Sequence, residues 1–440
     1  MKVSGSSTLE GNIIPPGDKS IAHRAVILNS IAKGKSVVTN FCPGRDSLAS
    51  VHCMKSLGVK IRRGSGQPHT LEINGVSKNG FHEPGNILNA NNSGTTMRLI
   101  SGLLAGQDFL SIITGDASLR SRPMDRIIKP LRMMGVDIRG RRGGLFAPLV
   151  IQGCKLHGME YTLGVPSAQV KSALLIASLF AKEQTKITEP APTRDHTERM
   201  LKQMGSQISK QGSQVTLLPS ARELNPLSFD IPGDISAAAY WLVAAAAHPN
   251  AKIRIKNCGM NPTRTGVIDV LISMGAILNI EEITEEDGEP RANLIVQSSR
   301  LKATEISGDI VVRAIDEIPI LAVAACFADG VTTIRGAGEL RVKESDRISH
   351  TVCELSKMGA SIQELTDGMI IRGVRSLKGA HVNSHGDHRL AMCLAIAGLL
   401  AKGETIIIGA EASNISYPQF WDDLYNIANN VIEGVKCPQS

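Results

Sequence analysis

The feature that most constrains this chain is a unit of about 70 residues that recurs six times. Each copy opens with a polar helix start and continues as an Ala/Leu/Ile-rich helix. The six are KSIAHRAVILNSIA, SGTTMRLISGLLA, SAQVKSALLIASLFA, DISAAAYWLVAAAA, DEIPILAVAACFA and DHRLAMCLAIAGLLA. A short β-rich segment follows each: SVVTNF, FLSIITG, TKITEP, AKIRIKN, VTTIRG and ETIIIG. A second, amphipathic helix then ends at Gly58, Gly135, Gly205, Gly275, Gly359 or, in the sixth copy, Asn429. These positions are spaced by 77, 70, 70, 84 and 70 residues. Gly and Asn tolerate the left-handed backbone that closes a helix, so the spacing marks six equivalent helix ends. Two strand-like segments usually follow, for example DIRG and APLVIQG.

The unit therefore reads β-α-β-α-β-β. At this length it exceeds an ordinary solenoid repeat, and a few units closing around an axis fit better than an open stack. The first helices are apolar on most faces, which predicts that they are buried with the sheets outside them. GNIIPPGDKS (11–20) and LSFDIPGDIS (227–236) share Pro-Gly-Asp before a helix, which places the boundary between the third and fourth units. The sixth unit lacks its last strands, and MKVSGSS with its continuation can supply them. The expected domains are 20–234 and 235–440 plus 1–19, joined by crossovers near 11–20 and 227–236. Two crossovers make a hinge, so closure over a substrate is expected.

The helix starts carry unusual polar side chains. Ser20 reads as the N-cap of the first helix, with Lys19 before it and Arg24 one turn inside. Cations are disfavoured at the positive end of a helix dipole, so this pair implies an anion there. Asn92, Gly94 and Thr95 mark the second start, where NNSGT can offer backbone N–H groups. Ser167 and Gln169 mark the third, Asp316 and Glu317 the fifth, and Asp387, His388 and Arg389 the sixth. The second helices add Arg122, Arg194, Arg341, Lys343, Glu344 and Arg347.

Singly, each has a plainer reading. Ser20 and Asp316 serve equally well as caps, and His388 as a structural hydrogen-bonding group. Arg45, Arg264 and Lys171 read as capping or solvated cations, and Arg126 as half of a helix-surface pair. Together, cations at several helix starts imply a site for more than one phosphate or carboxylate.

Composition narrows the classes. The net charge of +7 invites a nucleic-acid reading, but aromatics are only 3% and the cations are scattered, which suits small anionic substrates. The eight cysteines show no metal-ligand spacing and read as reduced core thiols. No apolar segment resembles a signal peptide, and the longest apolar run, 237–247, is too short to span a bilayer. There is no GxxxxGK[ST], GxGxxG after a strand, GxSxG or Mg²⁺-ready acidic cluster. The chemistry expected uses positioning, electrostatics and acid–base groups, with no metal or organic cofactor.

GDKSIAHR, NNSGTTMR, RSRPM, PSAQVKSALL, TRDHTE, DEIPILAVAA, LRVKESDR and GDHRLAM occur in one order over essentially the whole chain. That set closely resembles the 5-enolpyruvylshikimate-3-phosphate synthase family. The resemblance implies a two-domain inside-out α/β barrel of six βαβαββ repeats, three per domain, with buried helices and outer sheets. It implies transfer of the enolpyruvyl group of phosphoenolpyruvate to the 5-hydroxyl of shikimate 3-phosphate, by addition–elimination with release of phosphate. Shikimate 3-phosphate is then expected on Lys19, Ser20, Arg24, Ser167, Ala168 (through its backbone), Gln169, Arg194, Asp316 and Lys343. Phosphoenolpyruvate is expected on Lys19, Gly94, Arg122, Gln169, Arg347 and Arg389, with Asn92, Thr95 and His388 in support. The catalytic residues it implies are Asp316, Glu344 and Lys19: Asp316 resembles the base at the 5-hydroxyl and Glu344 the acid at the methylene, although the sequence leaves open an exchange or sharing of those two roles. A cytoplasmic monomer is expected.

Two departures stand out. SNISYPQFW (413–421) lacks the Lys that many members carry there, and TRDHTE resembles one subgroup, in which Arg194 replaces a Tyr. The first argues for an altered donor pocket and the room beside Gly94 for an ordinary one, so glyphosate sensitivity stays open. The UDP-N-acetylglucosamine enolpyruvyl transferases share fold and donor but use a loop Cys, and GDASLRSRPM (115–124) has none. A nucleic-acid binder and a non-catalytic anion-binding paralogue are the remaining alternatives.

Overall fold

The computed structural model describes residues 1–64, 69–220, 222–428 and 432–433. It divides into two compact units. One comprises Gly17–Pro232 with Glu286–Glu289; the other comprises Met1–Pro16, Gly233–Glu285 and the chain from Pro290 onward. The chain changes unit at Pro16–Gly17 and Pro232–Gly233, inside the two Pro-Gly-Asp segments.

Six helices open the six repeats: α1 (Lys19–Ile31), α2 (Gly94–Ala105), α3 (Ala168–Ser178), α4 (Ile235–Ala247), α5 (Ile318–Cys326) and α6 (His388–Leu399). They are apolar on most faces because most of each helix is buried. In α6 and α5 every residue is buried, as is every residue of α1 from Ile21 onward. Small residues let them approach closely. A Cβ on Gly102 of α2 would lie 2.1 Å from the carbonyl oxygen of Ala173 in α3.

The second helices bury one face only. They span Arg45–Ser56, Asp125–Met133, His196–Gln203, Gly266–Ser273, Arg347–Lys357 and Phe420–Ile427. Gly58, Gly135, Gly205, Gly275 and Gly359 have φ between +83° and +105°. Each closes a Schellman motif, as where Gly58 N–H donates to Lys55 O and Val59 N–H to Met54 O. Asn429 lies outside the described residues.

Six four-stranded sheets are present among the described residues. In the second repeat Leu88–Asn89 pairs parallel with Leu110–Thr114, which pairs antiparallel with Phe146–Gln152, and Asp137–Gly140 lies at the far edge. The others repeat this order with one exchange. Leu9–Ile13, which leads into α1, pairs parallel with Ala251–Gly259 of the fourth repeat. Phe229–Asp230, which leads into α4, pairs parallel with Lys33–Thr39 of the first. Each strand thus completes the sheet of the unit it leaves. Lys2–Ser4 pairs with Glu404–Ile408 and with Ile432–Glu433, finishing the sixth sheet.

Each unit has its own apolar core. The stretch 413–421 is part of one: Tyr417 and Phe420 are buried against Trp241, whose indole N–H donates to the Tyr417 hydroxyl at 3.1 Å.

Candidate active site

Two clusters of charged side chains form where the buried helices begin, one in each unit. In the unit of residues 17–232, the starts of α1, α2 and α3 converge. Asp18, not Ser20, is the N-cap of α1, accepting from Ile21 N–H at 3.0 Å. The more acidic of two nearby candidates takes the cap, as the dipole favours, and that places Lys19 and Ser20 in the first turn. Lys19 Nζ pairs with Asp46 Oδ2 at 3.0 Å, and both side chains are largely buried. Ser20 Oγ accepts from Arg194 Nη1 at 3.1 Å. Ser93 and Ser167 cap α2 and α3.

Gln169 joins two starts. Its amide donates to Thr95 Oγ1 at 2.9 Å, and its carbonyl accepts from Arg98 Nη1 at 2.5 Å. Arg122 Nη2 donates to Asn92 Oδ1, which fixes a second guanidinium beside α2. A Cβ on Gly94 would lie 2.8 Å from Arg98 Nη1 and 3.4 Å from Arg122 Nη1. A side chain at this position would displace the Arg98 guanidinium and touch that of Arg122. Arg24 is almost wholly buried. Its Nε donates to Thr197 Oγ1, its Nη1 to Ser20 O and its Nη2 to Ser172 Oγ, at 2.7 to 2.8 Å.

His23 is also buried. Its Nδ1 meets Ser50 Oγ at 2.8 Å, and Ser50 meets Thr96 Oγ1 at 2.8 Å. Burial, then the charges of Lys19 and Arg24, push its pKa well below the ordinary histidine value, against the opposing pull of Asp18. The ring is therefore neutral and adds no third charge to the α1 start.

In the other unit the centre is Arg347, 1% exposed. Its Nη1 lies 3.2 Å from Asp316 Oδ1, its Nη2 2.5 Å from Glu344 Oε2 and its Nε 2.8 Å from Asp387 Oδ2. Burial alone would favour loss of its proton; Asp387, Glu344 and Asp316 outweigh that and raise its pKa. Asp316 also lies 3.5 Å from Lys343 Nζ and 3.5 Å from Arg389 Nη2. Asp316 is not the cap of α5, because Glu317 occupies that position and the Asp316 side chain is taken by the three cations. Asp387 caps α6 through Arg389 N–H at 2.9 Å while holding Arg347, and His388 is buried beside it.

The structure corrects two further expectations. Lys171 is 0% exposed and paired with Glu189 at 3.0 Å and Glu198 at 2.6 Å. Arg264 is buried, bonded to Ser236 Oγ at 2.8 Å and Asp234 Oδ1 at 3.1 Å. Neither is a solvated cation, since in each case carboxylates remote in sequence pair with it. Arg341, by contrast, is spent on Asp346, Ser349 and Glu364 at the edge of its own sheet. Among the described residues no cluster of His, Cys, Asp and Glu could hold a metal ion.

Sequence reasoning missed Asp46, Arg98 and the structural weight of Asp387. Arg98 stands four residues after Gly94, so helical periodicity places it on the same face. Asp46 has no such signal, because its partner is 27 residues away on another helix.

Four-stranded sheets, buried helices and a cluster of carboxylates and cations at the helix starts of each unit define a two-unit α/β protein. The particular family follows from the sequence match. The profile of EPSP synthase (3-phosphoshikimate 1-carboxyvinyltransferase) matches residues 3–424. The 3-phosphoshikimate 1-carboxyvinyltransferase of Desulforudis audaxviator is 51% identical over 96% of this chain and 97% of its own length. That of Syntrophomonas wolfei is 49% identical, over 97% and 99%. The solved EPSP synthase of Acinetobacter baumannii superposes with a TM-score of 0.86 at 41% identity, covering 97% of each chain. This chain belongs to the EPSP synthase family.

Proposed function

We propose that this protein transfers the enolpyruvyl group of phosphoenolpyruvate to the 5-hydroxyl of shikimate 3-phosphate, releasing inorganic phosphate, as a step of the shikimate pathway toward chorismate and aromatic amino acids. The observation that carries the reading is that Asp316 and Glu344 share one buried guanidinium, that of Arg347. The reaction needs two carboxyl groups with different tasks close together. In the addition, one takes the 5-hydroxyl proton as the oxygen bonds to C2 of the enol, and the other protonates the methylene carbon. In the elimination, the methyl group returns a proton and the C2–O bond to phosphate breaks. We assign the first task to Asp316 and the second to Glu344; exchange of the two roles is the alternative.

The same reading gives shikimate 3-phosphate to Lys19, Ser20, Arg24, Ser167, Ala168, Gln169, Arg194, Asp316 and Lys343. It gives phosphoenolpyruvate to Lys19, Gly94, Arg122, Gln169, Arg347 and Arg389, with Asn92, Thr95 and His388 behind them. Several guanidinium forks suit a donor that carries both a carboxylate and a phosphate. The protein acts as a cytoplasmic monomer on small molecules. Among the described residues no helix is long and apolar enough to cross a membrane.

The test is phosphate release with both substrates, with the product identified by mass. Turnover of UDP-N-acetylglucosamine in place of shikimate 3-phosphate would overturn the reading. Steep, salt-dependent affinity for DNA would support a nucleic-acid partner instead.

A further inference from the structure

Arg194 stands at the α1 start on a segment with little regular structure of its own, between the strand Thr185–Thr188 and the helix His196–Gln203. Something must hold that segment. On one side, Glu189 folds it back, its Oε1 accepting from Thr193 N–H at 3.2 Å and from the Thr193 hydroxyl. On the other side, Thr197 Oγ1 accepts from Arg24 Nε at 2.7 Å and donates to Ser172 Oγ at 2.7 Å. Both flanks of Arg194 are therefore tied to buried groups.

Lys171 links the two flanks. Its ammonium lies 3.0 Å from Glu189 Oε2, 2.6 Å from Glu198 Oε1 and 3.5 Å from Thr193 O. It is fully buried, as is the Glu189 carboxylate. Burial raises the pKa of Glu198, and the nearby Lys171 charge opposes that rise. Lys171 also sits on α3 two residues after Gln169, the side chain that ties α3 to Thr95 and Arg98. A charge this deep is costly unless its partners are held in place, so it orders what it touches.

We propose that Lys171 is a positioning residue of the acceptor site: by clamping Glu189 and Glu198 around Thr193, it holds Arg194 over Ser20 in the geometry that receives shikimate 3-phosphate. The inference rests on the function proposed above. It predicts that Lys171 acts on acceptor binding through Arg194 and leaves the donor largely untouched.

A double-mutant cycle on the full-length enzyme tests this. Lys171→Met should raise KM for shikimate 3-phosphate about 10-fold or more while KM for phosphoenolpyruvate changes less than about 3-fold. In an Arg194→Ala background the same change should add almost nothing to KM for shikimate 3-phosphate. Glu198→Gln keeps the Lys171–Glu189 pair, so it serves where Lys171→Met does not fold; it should show the same acceptor-only, non-additive pattern at smaller size. Effects that add fully to Arg194→Ala, or that raise both KM values equally, would overturn the positioning role. A wild-type protein that does not turn over shikimate 3-phosphate overturns the proposed function, and this inference with it, which separates the two failures.

Discussion

Gly102→Ala tests how the helix packing builds the site. The added Cβ would lie 2.1 Å from Ala173 O, 2.9 Å from Ala173 C and 3.1 Å from Ala173 Cα. These are backbone atoms, so no rotamer change relieves the clash, and α2 and α3 must separate by about 1 Å to reach van der Waals contact. Overpacking of this kind costs roughly 3 kcal/mol. Replacing Gly in a helix interior returns up to about 1 kcal/mol of propensity. The net loss is about 2 kcal/mol, or a Tm lowered by about 4 to 8 °C in a unit of this size. Moving α3 also moves Gln169 from Thr95 and Arg98, so acceptor and donor KM should both rise. Urea and thermal unfolding, with steady-state kinetics, measure these effects. Gly85→Ala is the control, because nothing lies within 4 Å of its added Cβ; it should change stability by less than about 0.5 kcal/mol. A Gly102→Ala protein as stable as the wild type would refute the reasoning.

Other outcomes follow from the same geometry. Asp316→Asn should lower kcat by about 10² to 10⁴ with the fold retained, and near-normal turnover would remove Asp316 from the chemistry. His23 is held below its ordinary pKa, so the unfolded state binds the extra proton. Its contribution to stability is complete above about pH 6.5 and falls as pH drops below that value, by up to about 1.4 kcal/mol per pH unit. His23→Gln should flatten the stability profile between about pH 6.5 and 5 by that slope, and parallel profiles would contradict the assignment. Shikimate 3-phosphate at about 100 times its Kd should stabilise the protein by about 2.7 kcal/mol, read as a rise in Tm that is lost in Arg194→Ala at the same concentration.

The legible part of this protein was its periodic part. The six helices announced their burial by being apolar on most faces, and five helix-closing glycines announced their left-handed backbone. Both are local properties, written within a few residues. The carboxylates and cations at the helix starts were also visible as types, since Asp316, Glu344, Arg347 and Arg389 stand where apolar periodicity begins.

What the sequence could not state was pairing. Ser20 looked like a cap, yet Asp18 takes that position and frees Ser20 to accept from Arg194, 174 residues away. Lys171 and Arg264 looked like surface cations because their carboxylate partners are remote in sequence. The exchange of Leu9–Ile13 and Phe229–Asp230 between repeats is likewise a matter of which edge lies open, not of the strands themselves. Helix burial and helix termination depend on neighbours one turn away, so the sequence alone determined them. Which charge neutralises which depends on distances between helix starts, and only the tertiary packing decided those.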